Sequence, residues 1–237
     1  TGGLETKSFA FNQDYARVRG AEIMVSYRLS SMVRAMANAS FQVATGKSNT
    51  AAESRLQIIN QGNVYLTKEQ YLAWDRPLDL KGTLIFTPDT SVRFFGIPLK
   101  YTRVFVSSTW KSGLRYTPAV LVGTDDLGRP RYESDSKNPF SEIGSAWFWT
   151  DIKITRDFPL GKKRFISASI EINNAFNNKN AQIINPVTGT AYQNGDQLLY
   201  SQRDPNYPSP LDFGTPPNNP ARYMQPRQII YGIAFNF

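Results

Sequence analysis

The chain has 237 residues, with 27 Lys and Arg against 19 Asp and Glu, and it has neither cysteine nor histidine. Without cysteine there is no disulfide framework and no thiol chemistry, and without histidine the commonest general base and metal ligand are missing. The net charge of +8 is scattered along the chain, so we expect no nucleic-acid partner, and we predict a protein that is not an enzyme and holds no cofactor or metal.

Seven segments of the chain alternate apolar and polar residues with a period of two, which is the pattern of a β-strand with one apolar face. In chain order they cover residues 15–29, 33–45, 78–87, 103–116, 148–158, 166–176 and 227–237. The last segment has an aromatic or branched apolar residue at every second position up to its end. These residues are Ile229, Tyr231, Ile233, Phe235 and Phe237. No apolar run approaches the roughly 18 residues of a membrane-spanning helix.

The connections between these segments alternate between short and long. Short, turn-forming links join the first segment to the second, the third to the fourth, and the fifth to the sixth. They are Ser30-Ser31, Pro88-Asp89-Thr90 and residues 159–162. An outer-membrane barrel has short periplasmic turns and long extracellular loops. The alternation therefore predicts an antiparallel transmembrane β-barrel, with residue 237 on the periplasmic side.

The number of strands indicates part of a larger barrel. Seven is odd, whereas bacterial single-chain barrels have even numbers of at least eight strands, and lipid does not tolerate an unpaired strand edge. Residues 1–14 look like the end of a further long loop, which would follow an upstream strand. We therefore expect an all-β fold, namely an antiparallel transmembrane β-barrel segment of about seven to eight strands.

Charged residues on the polar face of the predicted strands are candidates for the lining of a lumen. They are Glu22, Arg28, Arg34, Asp79, Lys81, Arg103, Lys111, Arg115, Asp151, Lys153 and Glu171. In one interpretation they bind a substrate or a plug domain. In the other they form a neutralised charge network across neighbouring strands, which is the more general expectation because the lumen of any such barrel is polar.

Two groups of aromatic residues lie outside the middle of the strands. The first group lies toward strand ends and fits an aromatic girdle at the membrane interfaces, although such rings also stack on sugars. Its members are Trp147, Trp149, Tyr116, Trp110 and Tyr101. The second group lies in the last long connection, where contact with a ligand or a partner is the expected role of an exposed aromatic residue. Its members are Tyr192, Tyr200, Tyr207, Phe213 and Tyr223.

Four short motifs together resemble a known family. They are Arg19-Gly20-Ala21-Glu22, Trp74-Asp75-Arg76-Pro77, Ile172-Asn173-Asn174-Ala175-Phe176-Asn177-Asn178, and Asn219-Pro220-Ala221-Arg222 with Pro226-Arg227. The first is similar to the R-G-x-E strand entry of TonB-dependent outer-membrane receptors, and the third to their x-N-L-F-N strand end, with Ala175 where leucine is commoner. The second resembles a segment that enters a strand in that family, and the fourth resembles its last loop and strand. The resemblance covers essentially the whole chain.

The resemblance implies a 22-stranded barrel that holds an N-terminal plug domain and is driven by the inner-membrane TonB complex. Residues 1–237 would be the C-terminal part of such a barrel, without the plug domain, in the bacterial outer membrane. The parent protein would take up a scarce nutrient, namely a siderophore, cobalamin, a glycan or a peptide. Its partners would be outer-membrane lipid, the rest of the barrel with its plug, and the TonB complex, with a surface lipoprotein as a further candidate. Tyr231, Phe235 and Phe237 would act as the barrel-assembly signal.

Two other functions fit the same residues. A barrel component of a larger outer-membrane assembly, with no transport of its own, would need the same alternating strands. A soluble β-sandwich that binds glycans through its loops is the third interpretation, and independence from detergent would distinguish it from the other two.

Overall fold

The computed structural model describes residues 15–47, 69–161, 164–193, 195–203 and 222–237. Within these ranges the chain forms β-strands and one 3-10 turn, Tyr200–Arg203, and no α-helix. The strands are β1 (Ala16–Arg28), β2 (Val33–Gly46), β3 (Gln70–Tyr71), β4 (Leu78–Phe86), β5 (Arg93–Phe94), β6 (Ile97–Pro98), β7 (Thr102–Lys111), β8 (Arg115–Tyr116), β9 (Ala119–Thr124), β10 (Pro130–Ser134), β11 (Glu142–Ile143), β12 (Trp147–Pro159), β13 (Phe165–Asn173) and β14 (Gln228–Asn236). None of the described segments is a helix with the length and apolarity to cross a membrane.

One antiparallel sheet, which we call the main sheet, contains all seven long strands. Its order is β1-β2-β4-β7-β12-β13-β14, and the short β3 pairs with the end of β2. Each long strand is thus paired with the long strands before and after it in the sequence. These strands correspond to the seven predicted segments, so the prediction of an all-β, antiparallel fold is confirmed.

The fourth predicted segment differs from the structure, because β7 ends at Lys111 and the chain leaves the main sheet there. At Gly113 the backbone comes so close to Gly144 that a Cβ atom would overlap the Gly144 carbonyl oxygen. Beyond this crossing, β8 pairs with β11 instead of continuing along β12. The alternation of residues therefore extends further than the strand does.

The connection between β4 and β7 is longer than the predicted turn at Pro88-Asp89-Thr90. It contains the β5–β6 hairpin, whose central residues Phe95 and Gly96 have φ angles of 48° and 80°. Positive φ at both positions is what a two-residue hairpin turn requires, and glycine adopts it without strain. The predicted links between β1 and β2 and between β12 and β13 are short in the structure too.

The registers of the strands divide the main sheet into a polar face and an apolar face. One row of directly opposed residues on the polar face consists of Glu22, Ser40, Asp79, Lys111 and Trp147. The next row, one residue along each strand, lies on the apolar face and consists of Ile23, Ala39, Leu80, Trp110 and Phe148. Because side chains alternate between faces, a common register keeps each face uniform across the sheet.

The main sheet has no packed core on its apolar face. Ile23 of β1 is 65% exposed and Ile233 of β14 is 83% exposed. The largest fully buried side chains are instead in the long connections at one end of the sheet. They are Arg222, Tyr192, Leu72, Asn185 and Asp75.

β1 and β14 form the two edges of the main sheet, and neither has a second partner strand among the described residues. Every residue of β1 is exposed, and in β14 only Gly232 and Asn236 are partly covered. An apolar strand at an open edge presents unpaired backbone groups to another strand.

Candidate functional site

Ten of the eleven charged candidates lie on the polar face of the main sheet, and Arg115 does not. The ten are Glu22, Arg28, Arg34, Asp79, Lys81, Arg103, Lys111, Asp151, Lys153 and Glu171. Five of them take part in three cross-strand ion pairs: Lys111 Nζ lies 2.6 Å from Asp79 Oδ2, and Lys153 Nζ lies 2.9 Å from Glu171 Oε2. Arg103 Nη2 lies 3.2 Å from Asp157 Oδ2.

Cations without a described ion pair lie on the polar face of the first three long strands. Arg28 and Arg34 face each other directly across β1 and β2. Lys81 in β4 is opposite Asn38, whose amide donates instead to Glu22 Oε1 at 2.6 Å. Like charges in directly opposed positions are unfavourable. This side of the polar face is therefore the part of the network that an anionic partner would stabilise.

Arg115 occupies a buried ion pair between two long connections. Its Nε lies 2.5 Å from Asp75 Oδ2, and the two side chains are 7% and 0% exposed. Its guanidinium also covers the ring of Tyr71, at 3.5 Å from the ring centroid. The expectation that Arg115 lines the polar face is therefore corrected, because β7 ends at Lys111, four residues before Arg115.

Asp75 also replaces a backbone partner in the main sheet. Regular pairing of β2 with β4 ends at Phe41 and Leu78, and Ala44 N donates to Asp75 Oδ1 at 2.7 Å. Since Ala44 is 0% exposed, its N–H would otherwise be a buried donor without an acceptor. One carboxylate thus satisfies a strand end and neutralises Arg115. In the sequence, the only signal for this role is the motif Trp74-Asp75-Arg76-Pro77, which contains Asp75.

The next residue of the motif, Arg76, connects this region to the last long connection. Its guanidinium lies 3.7 Å from the centroid of the Trp147 ring, a cation–π geometry. The indole N–H of Trp147 in turn donates to the carbonyl oxygen of Ala181 at 2.7 Å. Trp147 therefore joins the connections on both sides of β12, and its position on the polar face does not fit a lipid-facing girdle.

The asparagine-rich motif at the end of β13 is a hydrogen-bonded strand end. Asn174 and Asn177 have φ angles of 50° and 54°, in the left-handed region that asparagine tolerates better than most residues. Asn174 Oδ1 accepts from Asn178 N at 2.9 Å, and its Nδ2 donates to the carbonyl oxygens of Asn178 and Gln225. Asn177 Oδ1 accepts from Arg227 N at 2.9 Å. The side chains of this motif thus fix the chain where it turns away from the sheet and where it returns to form β14.

The aromatic residues of the last connection divide into three groups. Tyr192 is 2% exposed, which corrects the expectation that it is an exposed contact residue; its carbonyl oxygen accepts from the buried Arg222 at 2.7 Å. Tyr200 is 41% exposed and lies under the guanidinium of Arg131. Tyr223 is partly covered and lies 5.7 Å from Lys179 Nζ. Tyr207 and Phe213 lie outside the described residues.

Of the three aromatic residues proposed as an assembly signal, Tyr231 and Phe235 lie on the apolar face of β14, and Phe237 directly follows the strand. Tyr231 is 74% exposed, Phe235 55% and Phe237 93%. The rings of Phe235 and Phe237 stack with centroids 5.9 Å apart. At this edge of the sheet the exposed surface is therefore apolar, and the backbone of β14 has no second partner strand among the described residues.

A pocket of about 250 Å³ opens on the polar face beside the asparagine-rich motif. Its lining includes Trp149 and Asp151 of β12, Asn173 of β13, and Gln228 of β14. Asp151 Oδ1 accepts from Asn174 N at 2.9 Å, which ties the pocket wall to the strand end. The pocket was not foreseen, although the alternation of β12 already places Trp149 on the same face as Asp151.

No family model, characterised protein or solved structure matches the chain. Within the described ranges, no group of three or more acidic residues is placed to hold a metal ion. The functional conclusion therefore depends on the geometry of the chain and on the motifs in its sequence.

Proposed function

We propose that the chain is the C-terminal portion of the barrel of a TonB-dependent outer-membrane receptor, whose parent protein takes up a scarce nutrient. The observation that carries the proposal is the division of the main sheet into two faces. The apolar face is exposed across the sheet, from Ile23 in β1 to Ile233 in β14. Contiguous apolar patches of more than a few hundred Å² are rare on soluble monomers, whereas a lipid-facing strand requires one.

The polar face supports the same proposal. Its cross-strand pairs Asp79–Lys111 and Lys153–Glu171 are half exposed, so they retain water on that side. A barrel lumen is polar and hydrated, and charges placed there do not meet lipid. The unpaired cations Arg28, Arg34 and Lys81 would then face the inside of the barrel, where a plug domain with acidic groups would neutralise them.

The two open edges of the sheet support the proposal that it is one part of a larger barrel. In lipid every backbone N–H and C=O must find a protein partner, so β1 and β14 would each require a further strand. A larger barrel supplies both. The long connections, which meet at one end through Asp75, Arg115 and Trp147, would form the extracellular side.

Membrane insertion is tested with two lysine substitutions in the middle of β13. Ile170 lies on the apolar face and the adjacent Ser169 on the polar face. A lysine on the lipid face near the midplane costs about 2–4 kcal/mol, so we expect Ile170→Lys to lower the yield of heat-modifiable, folded protein in outer membranes sharply. The control Ser169→Lys should assemble normally. Equal assembly of the two variants, or a folded, monodisperse protein without detergent, would contradict the proposal and favour a soluble glycan-binding module.

Transport is tested separately, in cells that express the parent protein. Uptake of its nutrient should stop when the TonB complex is deleted, while the amount of barrel in the outer membrane stays the same. Unchanged uptake, or the absence of any nutrient whose uptake depends on the protein, would favour a non-transporting barrel component.

A further inference from the structure

We infer that the pocket beside the asparagine-rich motif binds one neutral sugar ring. The pocket lies on the polar face, where β12, β13 and β14 end, and its volume is about 250 Å³. Ligand pockets usually begin at about 300 Å³, so this one accommodates a single ring better than an extended molecule. The inference concerns binding and does not require that the chain takes part in transport.

The apolar part of the lining suits the face of a sugar ring. Trp149 contributes an indole, and Met224 and Pro226 contribute apolar surface. The axial C–H groups of a pyranose form an apolar face that packs on an aromatic ring, and a buried tryptophan also offers its N–H as a donor. Trp149 is only partly covered in the structure, and its indole N–H makes no hydrogen bond to the described residues, unlike that of Trp147.

The polar part of the lining suits hydroxyl groups. The side-chain amides of Asn173, Gln225 and Gln228 make no hydrogen bond to other described residues, so each retains a donor and an acceptor. A sugar hydroxyl also donates and accepts, which makes amides suitable partners for it. By contrast, the amides of Asn174 and Asn180 in the same wall are engaged with the backbone and hold the wall in place.

The lining has no positive charge, which excludes an anionic ligand and leaves a neutral sugar and a cation as the candidate ligands. None of the side chains that line the pocket is cationic, so a carboxylate or phosphate would lose its hydration without compensation. The single carboxylate is Asp151, and one of its oxygens already accepts from Asn174 N. One aromatic ring and one half-occupied carboxylate are a poor cage for an ammonium group, whereas three free amides favour a neutral polyol.

The pocket is firmly built, which reduces the entropy lost on binding. Asn174 is 6% exposed and Asn180 is 5% exposed, and each is hydrogen-bonded to a residue distant in the sequence, Asn174 to Gln225 and Asn180 to Phe148. Asn180 Oδ1 accepts from Phe148 N at 2.7 Å, and its Nδ2 donates to the Phe148 carbonyl at 3.0 Å. The position of the pocket is therefore fixed by the same asparagines that end β13.

The test is calorimetric titration of the folded parent protein, which contains the full chain, in a detergent that carries no sugar headgroup. The probes are a panel of neutral disaccharides (maltose, cellobiose, lactose and a mannobiose), with putrescine as a dicationic probe and citrate as an anionic one. We expect saturable binding of at least one disaccharide and weakening by about tenfold in Trp149→Ala, since loss of the ring removes about 1.4 kcal/mol. The matched control Trp74→Ala removes another partly exposed tryptophan that does not line the pocket, and its affinity should equal that of the wild type.

Two further variants keep the test decisive if Trp149→Ala does not fold. Gln228→Ala changes an exposed residue of an edge strand and should weaken sugar binding several-fold without loss of the fold. Asp151→Asn should have only a modest effect on sugar binding, because it preserves an acceptor, and a large loss would count against a neutral ligand. The inference is overturned if no disaccharide binds at millimolar concentration, if folded Trp149→Ala or Gln228→Ala binds as tightly as the wild type, or if putrescine or citrate binds in place of the sugars.

Discussion

Replacement of Asp75 by alanine should loosen the end of the main sheet more than any other single change of a charged residue described here. The side chain is 0% exposed and serves two partners at once, Ala44 N at 2.7 Å and Arg115 Nε at 2.5 Å. In Asp75→Ala the Ala44 N–H becomes a buried donor without an acceptor, and Arg115 becomes a buried charge without a counterion.

The expected loss is about 3 kcal/mol. Removal of one partner of a buried ion pair costs about 3–5 kcal/mol. A buried N–H that loses its acceptor costs about 1–3 kcal/mol. The expected loss is smaller than the sum of these two costs because Arg115 retains two carbonyl acceptors, Phe140 and Ser141, at 3.4 and 3.2 Å. It also keeps its position over the ring of Tyr71. A loss of 3 kcal/mol corresponds to an opening equilibrium that is about a hundredfold more favourable.

Hydrogen exchange read by mass spectrometry measures this opening in the folded protein. Exchange at Ala44 and in the segment around Arg115 should accelerate about a hundredfold in Asp75→Ala, while the middle of β12 and β13 stays protected. The matched control is Asp79→Ala, which removes an aspartate from a pair of similar length, 2.6 Å to Lys111, but with side chains 35% and 30% exposed. An exposed pair contributes about 0–1 kcal/mol, so the control should change exchange by about fivefold at most.

The reasoning would be refuted if Asp75→Ala and Asp79→Ala changed exchange equally. A second refutation would come from a double-mutant cycle with Arg115→Ala. Two residues in direct contact within a buried network should show a coupling energy of about 0.5–3 kcal/mol. Strict additivity would mean that the two side chains do not depend on each other.

Three further outcomes are expected from other parts of the structure. Asn174→Ala should destabilise the strand end by about 1–3 kcal/mol in chemical denaturation, whereas Asn174→Gly, which accepts positive φ, should lose less; the reverse order would contradict the role of backbone conformation. In the β9–β10 hairpin, the backbone N–H of Arg129 is the first cause that holds the pKa of Asp125 below its ordinary value of 3.8. A carboxyl with a depressed folded pKa stabilises above its unfolded pKa and ceases to do so as the pH falls through the folded value. The protection factors of the hairpin amides, which are corrected for the intrinsic pH dependence of exchange, should therefore fall below that pH, and unchanged protection factors would be the contrary result. Lys153→Ala should lower the free energy of unfolding by less than about 1 kcal/mol, since its pair with Glu171 is half exposed. A loss of several kcal/mol would show that the polar face is less hydrated than its exposure indicates.

The long strands and their two faces were predictable from the sequence. In β13, for example, Ile166, Ala168, Ile170 and Ile172 alternate with polar residues, and the structure places them on one face in a single register with β12. The period of two is a local property of the chain, because successive side chains of any extended backbone point in opposite directions. The short links between adjacent strands then determine that neighbours in the sequence pair in the sheet.

The position of Arg115 could not be predicted in the same way. Its residue type and parity match the polar face, but β7 ends at Lys111, and at Gly113 the chain crosses close to another backbone. Nothing in the alternation marks that contact, because its partner Gly144 lies in a distant part of the sequence. The burial of Tyr192 was missed for the same reason, since it depends on the neighbouring Arg222.

Trp149 is a different case, because its signal was present in the sequence. It has the same parity as Asp151 and Lys153, so the pattern that defined the polar face also assigned the tryptophan to it. The interpretation as a lipid-facing girdle followed from residue type and position near a strand end. The parity of a strand is the stronger indicator, since a slip of one residue would move every side chain of β12 to the other face.

The sequence by itself determined the strands, their order and the polarity of each face, because these properties depend on residues that are adjacent or two apart. Only the tertiary structure decided which residues of the long connections meet. Asp75 contacts residues 31 and 40 positions away in the sequence, and Trp147 contacts one 34 positions away. Such contacts depend on the path of loops that no local period constrains, and they form where buried charges and backbone groups must find partners.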